Sequence, residues 1–303
     1  MSPLRILGAG YGERGHQDVF PDPQALSLDG GLERALEILA AGPVAVLTGA
    51  GISTDSGIPD YRGPDSAPRQ PMTYQEFMAT TANRSRYWAR NQVGWHHLAE
   101  ASPNVSHQVL ARLGAAGAVS GIITQNIDRL HQRAGSFGVV DLHGRYDQVL
   151  CMTCQSLIPR AVWGRMLDEA NPEFARASLD PREIEFAPDA DAEIDYQGTY
   201  VVPDCPVCGG VMKPHVVFFG ESAAPDRVAH AAAVVDAAQS ILVLGSSLTV
   251  HSGRRFVRRA VRDGKPVVIV NHGRTRSDQD AAVKIDAQVA QFLTGAEPLW
   301  SGS

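Results

Sequence analysis

The chain has 303 residues, 44% hydrophobic and 20% charged, with four cysteines and a net charge of −6. That balance excludes a mainly disordered chain and a disulfide-built secreted scaffold. It also argues against nucleic acid as the main partner, and no run of about 18 apolar residues exists to span a membrane.

Residues 1–29 read as a flexible leader. They lack a charged segment followed by an apolar run, and they carry Glu13 and Asp18 with few serines. Neither a secretory signal nor a transit peptide is expected, which points to a reducing cytoplasm. Gly8-Ala9-Gly10-Tyr11-Gly12 is glycine-rich but lacks the strand-and-helix setting of a phosphate loop.

Next, 31–41 places Leu32, Ala35, Leu36 and Leu39 at helical spacing. Val44 to Leu47 is a short apolar run that leads into Thr48-Gly49-Ala50-Gly51. A buried strand ending in a glycine turn suits a parallel sheet. The unit recurs at 119–124 before Gln125-Asn126, at 241–244 before Gly245-Ser246-Ser247, and at 266–270 before Asn271-His272-Gly273. Helices are expected over 106–113, 227–238 and 252–262. The fold class is α/β: a Rossmann-like doubly wound parallel sheet, with ligands expected at the carboxyl ends of its strands. The sheet domain is expected to comprise 30–63, 105–145 and 213–295. Residues 64–104 read as a helical insertion, 146–212 as a small metal-binding module and 296–303 as a polar tail. Within the module, 171–204 holds nine Asp or Glu against two Arg and reads as a solvated loop.

Cys151-Met-Thr-Cys154 and Cys205-Pro-Val-Cys208 are two C-x-x-C knuckles that use every cysteine in the chain. Four thiolates suit a closed, tetrahedral structural Zn²⁺ site with no position left for chemistry. A redox pair is disfavoured, because neither knuckle opens a helix after a strand.

Gly49, Gly51 and the late Gly57 depart from G-x-G-x-x-G, and no acidic residue closes an obvious second strand. A hydride-transferring Rossmann enzyme is therefore disfavoured. Gly49 and Gly51 let backbone amides approach a pyrophosphate, and Arg62 offers charge to neutralise it.

Gly49-Ala50-Gly51-Ile52-Ser53 with Gly57-Ile58-Pro59-Asp60-Tyr61-Arg62 resembles the signature of the sirtuin (Sir2) family. So do Thr124-Gln125-Asn126-Ile127-Asp128 with His131, His143-Gly144, the two knuckles, Val216 to Glu221, Gly245-Ser246-Ser247-Leu248, and Asn271. The motifs come in family order over about 30–295. Tyr87-Trp88-Ala89-Arg90-Asn91, Lys213-Pro214 and Thr275-Arg276-Ser277-Asp278 look like the class II branch, in a bacterial relative.

The resemblance implies an NAD-dependent protein-lysine deacylase, with NAD⁺ consumed as cosubstrate, structural zinc, and an acylated-lysine protein or peptide as substrate. It implies His143 as general base, with Asn126 and Asp128 beside it. Gln125, Asn126, Ile127 and Asp128 would contact nicotinamide and ribose, although Asn126 and Asp128 also suit helix capping. Gly49, Ala50, Gly51, Ser53, Ile58, Pro59, Asp60, Tyr61 and Arg62 match the cofactor loop, with Tyr61 in place of the commoner Phe. Gly245, Ser246, Ser247, Asn271, His272, Gly273 and Val289 match the adenosine end. Val217, Phe218, Phe219, Gly220 and Glu221 would pair with the substrate main chain; an ordinary core strand fits the same run. His251-Ser252-Gly253 departs from the family's Tyr-Pro-Ala and puts peptide preference in doubt.

Tyr87 and Arg90 share one helical face and match a family pattern for removing acidic acyl groups, so an acidic acyl preference is one expectation. Pairing of Arg90 with a nearby carboxylate is the other. Protein mono-ADP-ribosyl transfer and a non-catalytic NAD or ADP-ribose sensor remain alternative functions; the presence of Asn126, Asp128 and His143 argues against the sensor.

Overall fold

The computed structural model describes residues 4–6, 25–61, 71–176, 186–189, 191–192, 194–196 and 199–300. In chain order the strands are β1 (Leu4–Ile6), β2 (Val44–Thr48), β3 (Val119–Thr124), β4 (Val139–Asp141), β5 (Gly144–Cys151), β6 (Leu157–Pro159), β7 (Ile194–Tyr196), β8 (Met212–Val216), β9 (Ser240–Leu244), β10 (Val267–Val270) and β11 (Val283–Ile285). The helices are α1 (Leu28–Leu39), α2 (Tyr74–Ala79), α3 (Thr81–Glu100), α4 (Val105–Ala115), α5 (Leu130–Arg133), α6 (Arg160–Ala170), α7 (Pro172–Arg176), α8 (Pro225–Ala237), α9 (His251–Arg262) and α10 (Val289–Trp300). They fall into two compact units, and 102–143 and 223–300 lie with β2 in the larger one.

The larger unit is built on a six-stranded sheet in the order β11-β10-β9-β2-β3-β4, and every neighbouring pair is parallel. All five residues of β2 are buried, as are those of β9 and β10. Such strands have no face to show to water, which is why they read as unbroken apolar runs. Val44 and Val46 face a core with Leu39, Leu110 and Phe292 from α1, α4 and α10. Ala45 and Leu47 face the opposite core with Val235 and Phe256 from α8 and α9. The sheet is therefore doubly wound. Its order reverses between β2 and β9, so the loops after those two strands flank the switch point where such sheets bind ligands.

In the smaller unit, β5 pairs antiparallel with β6 and β8, and β1 pairs antiparallel with β7. Its core includes Phe77, Trp88 and Trp163. The guanidinium of Arg160 is buried with them. It donates to Asn91 Oδ1 (3.0 Å) and Gln92 Oε1 (2.9 Å), and burial pushes its pKa down to about 9.

Several expectations change. Leu4–Ile6 is a strand rather than leader, held by main-chain pairing to β7; Gly8–Gly12 lies outside the described residues. Residues 213–222 group with the smaller unit, because β8 pairs with the strand that carries Cys151. The described part of the acidic segment is packed: Asn171 donates to Val201 O (2.7 Å), and Phe174, Ala192 and Tyr200 are buried. The helix that ends the described chain runs to Trp300, where Ala296 and Trp300 are buried, so no polar tail begins at 296.

A buried imidazole pair in the larger unit sets an acid limit. His107 and His131 are both buried, with ring centres 4.8 Å apart. Burial lowers the His107 pKa to about 4 and holds His131 well below its ordinary value, with His107 adding to the shift. The unfolded chain therefore takes up protons first as pH falls. This stabilisation is complete above about pH 6.5 and is lost towards pH 4. From pH 7 to pH 5, His107 alone is expected to remove about 2 kcal/mol of stability. Urea midpoints at the two pH values check this. His107→Gln, which keeps a capping side chain at that position of the α4 N-terminus, should flatten the dependence.

Candidate active site

Three loops of the larger unit meet at the switch point. After β2, Gly49 N donates to Leu244 O (3.1 Å) and Gly51 N to Gly245 O (2.9 Å). A Cβ on Gly49 would lie 2.8 Å from Gly245 O, and one on Gly245, at φ +59, would lie 2.5 Å from Ile52 N. These glycines let the loops after β2 and β9 approach each other, so only part of their role can be approach to a ligand. Two 3₁₀ turns, Ala50–Ile52 and Thr54–Ser56, follow, and Gly57 closes them at φ +81. Ile58 is buried, and Pro59, Asp60 and Tyr61 are half-buried. Arg62 lies outside the described residues.

The segment after β3 ties this loop down. Gln125 Nε2 donates to Ser246 Oγ (2.8 Å). Asn126 Nδ2 donates to Gly49 O and to Ser53 Oγ, both at 3.1 Å. Asp128 is buried; it accepts from Ser53 Oγ (2.7 Å) and from Leu130 N (2.9 Å). Burial raises its pKa, and those donors partly offset the rise. Ile127 is buried between them. Asn126 and Asp128 thus brace the loop, and Asp128 also accepts the first N–H of α5.

His143 follows β4. Its Nδ1 lies 2.9 Å from Gln125 O and its Nε2 lies 2.6 Å from Ser252 Oγ. A carbonyl only accepts, so Nδ1 carries the hydrogen and Nε2 holds the lone pair of the neutral ring. Desolvation lowers the pKa to about 4, which keeps the ring neutral at physiological pH. A neutral ring can accept a proton at Nε2 once the Ser252 contact gives way.

At the far side, Asn271 Nδ2 donates to His272 O (2.9 Å) and Gly273 O (3.2 Å). Asp286 Oδ1 accepts from Gly273 N (3.1 Å) and pairs with His272 (3.0 Å). Ser247 Oγ hydrogen-bonds Thr249 Oγ1 (3.1 Å). Val289 is buried at the start of α10.

In the smaller unit, 217–221 continues β8. Phe219 O accepts from Tyr74 N (2.9 Å), and Gly220 turns at φ +78 against Gln75. Glu221 Oε2 accepts from Phe218 N (2.9 Å) and from Lys213 Nζ (3.1 Å), which also donates to Val216 O (2.5 Å). Val217 and Phe219 are half-buried, whereas Phe218 is buried, with its ring centre 5.1 Å from both Phe77 and Tyr87. Tyr87 is therefore a core residue beneath this segment, and burial drives its pKa up. Arg90 Nε sits 2.8 Å from Asp191 Oδ1 and donates to Ala192 O (2.9 Å).

The four cysteine Sγ atoms lie within 4.8 Å of one another; Cys151–Cys208 and Cys154–Cys205 are 3.5 and 3.8 Å apart. Tetrahedral Zn–S bonds of about 2.3 Å put sulfurs about 3.8 Å apart, so the donor set fits zinc with small side-chain adjustments. Main-chain turns shape the site: Gly209 N donates to Cys205 O (2.8 Å), and a Cβ on Gly210 would lie 2.5 Å from Thr153 Oγ1. In the sequence Ser252 belongs only to a departure from the family pattern. Its contact with His143 has no local signal, because the two are 109 residues apart.

A doubly wound sheet with interlocked loops at its switch point, together with a four-cysteine module, defines a nucleotide-binding α/β enzyme that carries a structural metal. The Sir2 family profile matches residues 49–252. NAD-dependent protein deacetylase 1 of Mycobacterium avium (strain 104) is 49% identical over 256 residues, covering 84% of this chain and 91% of that protein. NAD-dependent protein deacetylase 1 of Streptomyces coelicolor is 50% identical over 262 residues, covering 85% and 86%. A solved Sir2 complex with a p53 peptide and NAD⁺ is 30% identical, with a TM-score of 0.67 over 90% of this chain and 99% of that one. Sir2Tm bound to a propionylated peptide is 29% identical, with the same TM-score and coverage. The chain belongs to the Sir2 family.

Proposed function

We propose that this chain is an NAD-dependent protein-lysine deacylase acting on acylated-lysine proteins or peptides. The observation that carries this reading is the neutral His143, with Nδ1 committed to Gln125 O and its Nε2 lone pair held by the Ser252 hydroxyl, a partner that a substrate hydroxyl can replace. NAD⁺ would supply an activated nicotinamide–ribose bond for reaction with the acyl oxygen. His143 Nε2 would take the proton of a ribose hydroxyl. Gln125 and Asn126 offer amides for a carboxamide and sugar hydroxyls, and Asp128 holds the loop through Ser53. Gly49, Ala50, Gly51, Ser53, Ile58, Pro59, Asp60 and Tyr61 form the cofactor loop. Gly245, Ser246, Ser247, Asn271, His272, Gly273 and Val289 serve the adenosine end. Val217, Phe219, Gly220 and Glu221 present the substrate edge, with Phe218 anchoring it. Four thiols kept for metal support a cytoplasmic location. Among the described residues no helix is long and apolar enough to cross a membrane.

The acyl group is proposed to be neutral. Asp191 already neutralises Arg90, and the side chains are 11% and 27% exposed, so a distal acyl carboxylate would meet an occupied guanidinium. Asp191→Asn is expected to raise succinyl-lysine turnover relative to acetyl-lysine about tenfold, through an Arg–carboxylate bond. Equal ratios in both proteins would remove Arg90 from acyl choice. The test of the whole reading is nicotinamide release from NAD⁺ with acetyl-, propionyl- and succinyl-lysine peptides. Turnover on a neutral acyl peptide is expected. ADP-ribose attached to protein without peptide deacylation would instead establish ADP-ribosyl transfer.

A further inference from the structure

We propose that Ser252 is a positioning residue that holds His143 as an Nε2 acceptor in the free enzyme and surrenders that place to a substrate hydroxyl. This rests on the deacylase reading only through the role of His143 as base. Because Nδ1 must donate to Gln125 O, the 2.6 Å contact at Nε2 is made by the Ser252 hydroxyl donating. Ser252 is the second residue of α9, and no side chain caps that helix. The next residue, Gly253, is buried, and a Cβ there would lie 2.5 Å from Gln125 Oε1. The first turn of α9 is thus pressed against the residue that orients the other side of the ring. Ser252 and His143 are both only half-buried, so the hydroxyl can turn away without opening the core.

The charged and titratable groups near the ring are assigned. Arg227 of α8 disfavours the imidazolium. Asp141 on β4 is engaged by Arg129 and Gln132. Asp128 is held by Ser53 and Leu130 N, and His251, beside Ser252, is exposed. Nε2 has one in-plane lone pair, so Ser252 and a ribose hydroxyl compete for it. A hydrogen bond donated to Nε2 favours the neutral ring. Ser252 should therefore act on the free enzyme and have no effect once substrate occupies Nε2.

The test compares wild type, Ser252→Ala and Ser252→Thr by pH–rate profiles, with far-UV circular dichroism at each pH restricting the comparison to folded protein. The acid limb of kcat/KM reports the free enzyme and that of kcat the complex. Ser252→Ala is expected to move the kcat/KM limb up by about half to one pH unit, a threefold to tenfold loss below it. The kcat limb should stay, and Ser252→Thr should restore the profile. Imidazole ¹⁵N shifts in the free protein, which need no activity, should show the Nδ1–H tautomer in wild type and a higher His143 pKa in Ser252→Ala. If neither the limb nor the ¹⁵N titration moves, the contact is packing and the proposal falls. If kcat falls about a hundredfold with both limbs fixed, Ser252 relays the proton in the complex, and the proposal also falls. If wild type has no turnover dependent on His143, the deacylase reading fails, while the ¹⁵N titration still decides the role of Ser252.

Discussion

Replacing His143 with alanine is expected to lower acyl-lysine turnover by about 10²–10⁴-fold, the usual contribution of a positioned general base. NAD⁺ affinity, read by calorimetry, should change by no more than a few-fold. The imidazole does not hold the loop: it bonds Gln125 O and Ser252 Oγ, whereas the loop's own ties run through Asn126, Ser53 and Asp128. The loss should therefore fall on kcat, with NAD⁺ still bound. A variant that loses NAD⁺ binding and turnover together would show that His143 holds the site's shape, and the base would have to be sought elsewhere. The wild-type profile is a companion check. With the free-enzyme pKa at about 4, kcat/KM should stay flat as pH falls from 7.5 to about 6, whereas an ordinary imidazole of pKa about 6.5 would already be losing rate there.

Removing the metal should have the other large effect. Cys205→Ser, or prolonged chelation, is expected to unfold much of the smaller unit, since zinc bound to four thiolates contributes on the order of 10 kcal/mol to folding. The two knuckles flank the β5–β8 pairing: Cys151 ends β5 and its partner in register is Met212. Residues 217–221, proposed above to present the substrate edge, continue directly from β8. Peptide turnover should therefore fall with the metal. Zinc content by mass spectrometry, near one per chain before chelation, and far-UV circular dichroism check this. Unchanged thermal unfolding after complete zinc loss would show that the core around Trp88 and Trp163 holds the unit without it.

The sheet was legible in the sequence because its strands are buried on both faces, leaving Val44–Thr48 and Ile241–Leu244 as apolar runs ending in small or polar residues. The knuckles were legible because C-x-x-C is a local pattern. What stayed hidden depends on partners distant in sequence. β5 reads Gly-Arg-Tyr-Asp-Gln-Val-Leu-Cys, with no clean alternation, and becomes a strand because β6 and β8 complete its hydrogen bonds. β1 exists through β7, about 190 residues away by the element bounds. Gly295 and Pro298 concealed α10, which Phe292, Ala296 and Trp300 nevertheless bury against the sheet. Pairing of Arg90 with a carboxylate was one of two expectations, but the partner, Asp191, was not legible because it lies in an acidic segment that read as solvent-exposed. The pairing of Ser252 with His143 depends on how closely α9 approaches the loop after β3, which no local pattern encodes.

The strand order also bears on how the chain emerges from the ribosome. β2 is an interior strand, yet one of its two neighbours, β9, is encoded far downstream. Synthesis at about 5–20 residues per second leaves roughly 10–40 s between the two. During that interval a strand destined for full burial, Val-Ala-Val-Leu-Thr, has one edge with no native partner. The nascent chain should therefore be a client for holding chaperones over that interval, and a stop after about residue 200 should yield an aggregating fragment in place of a smaller folded one.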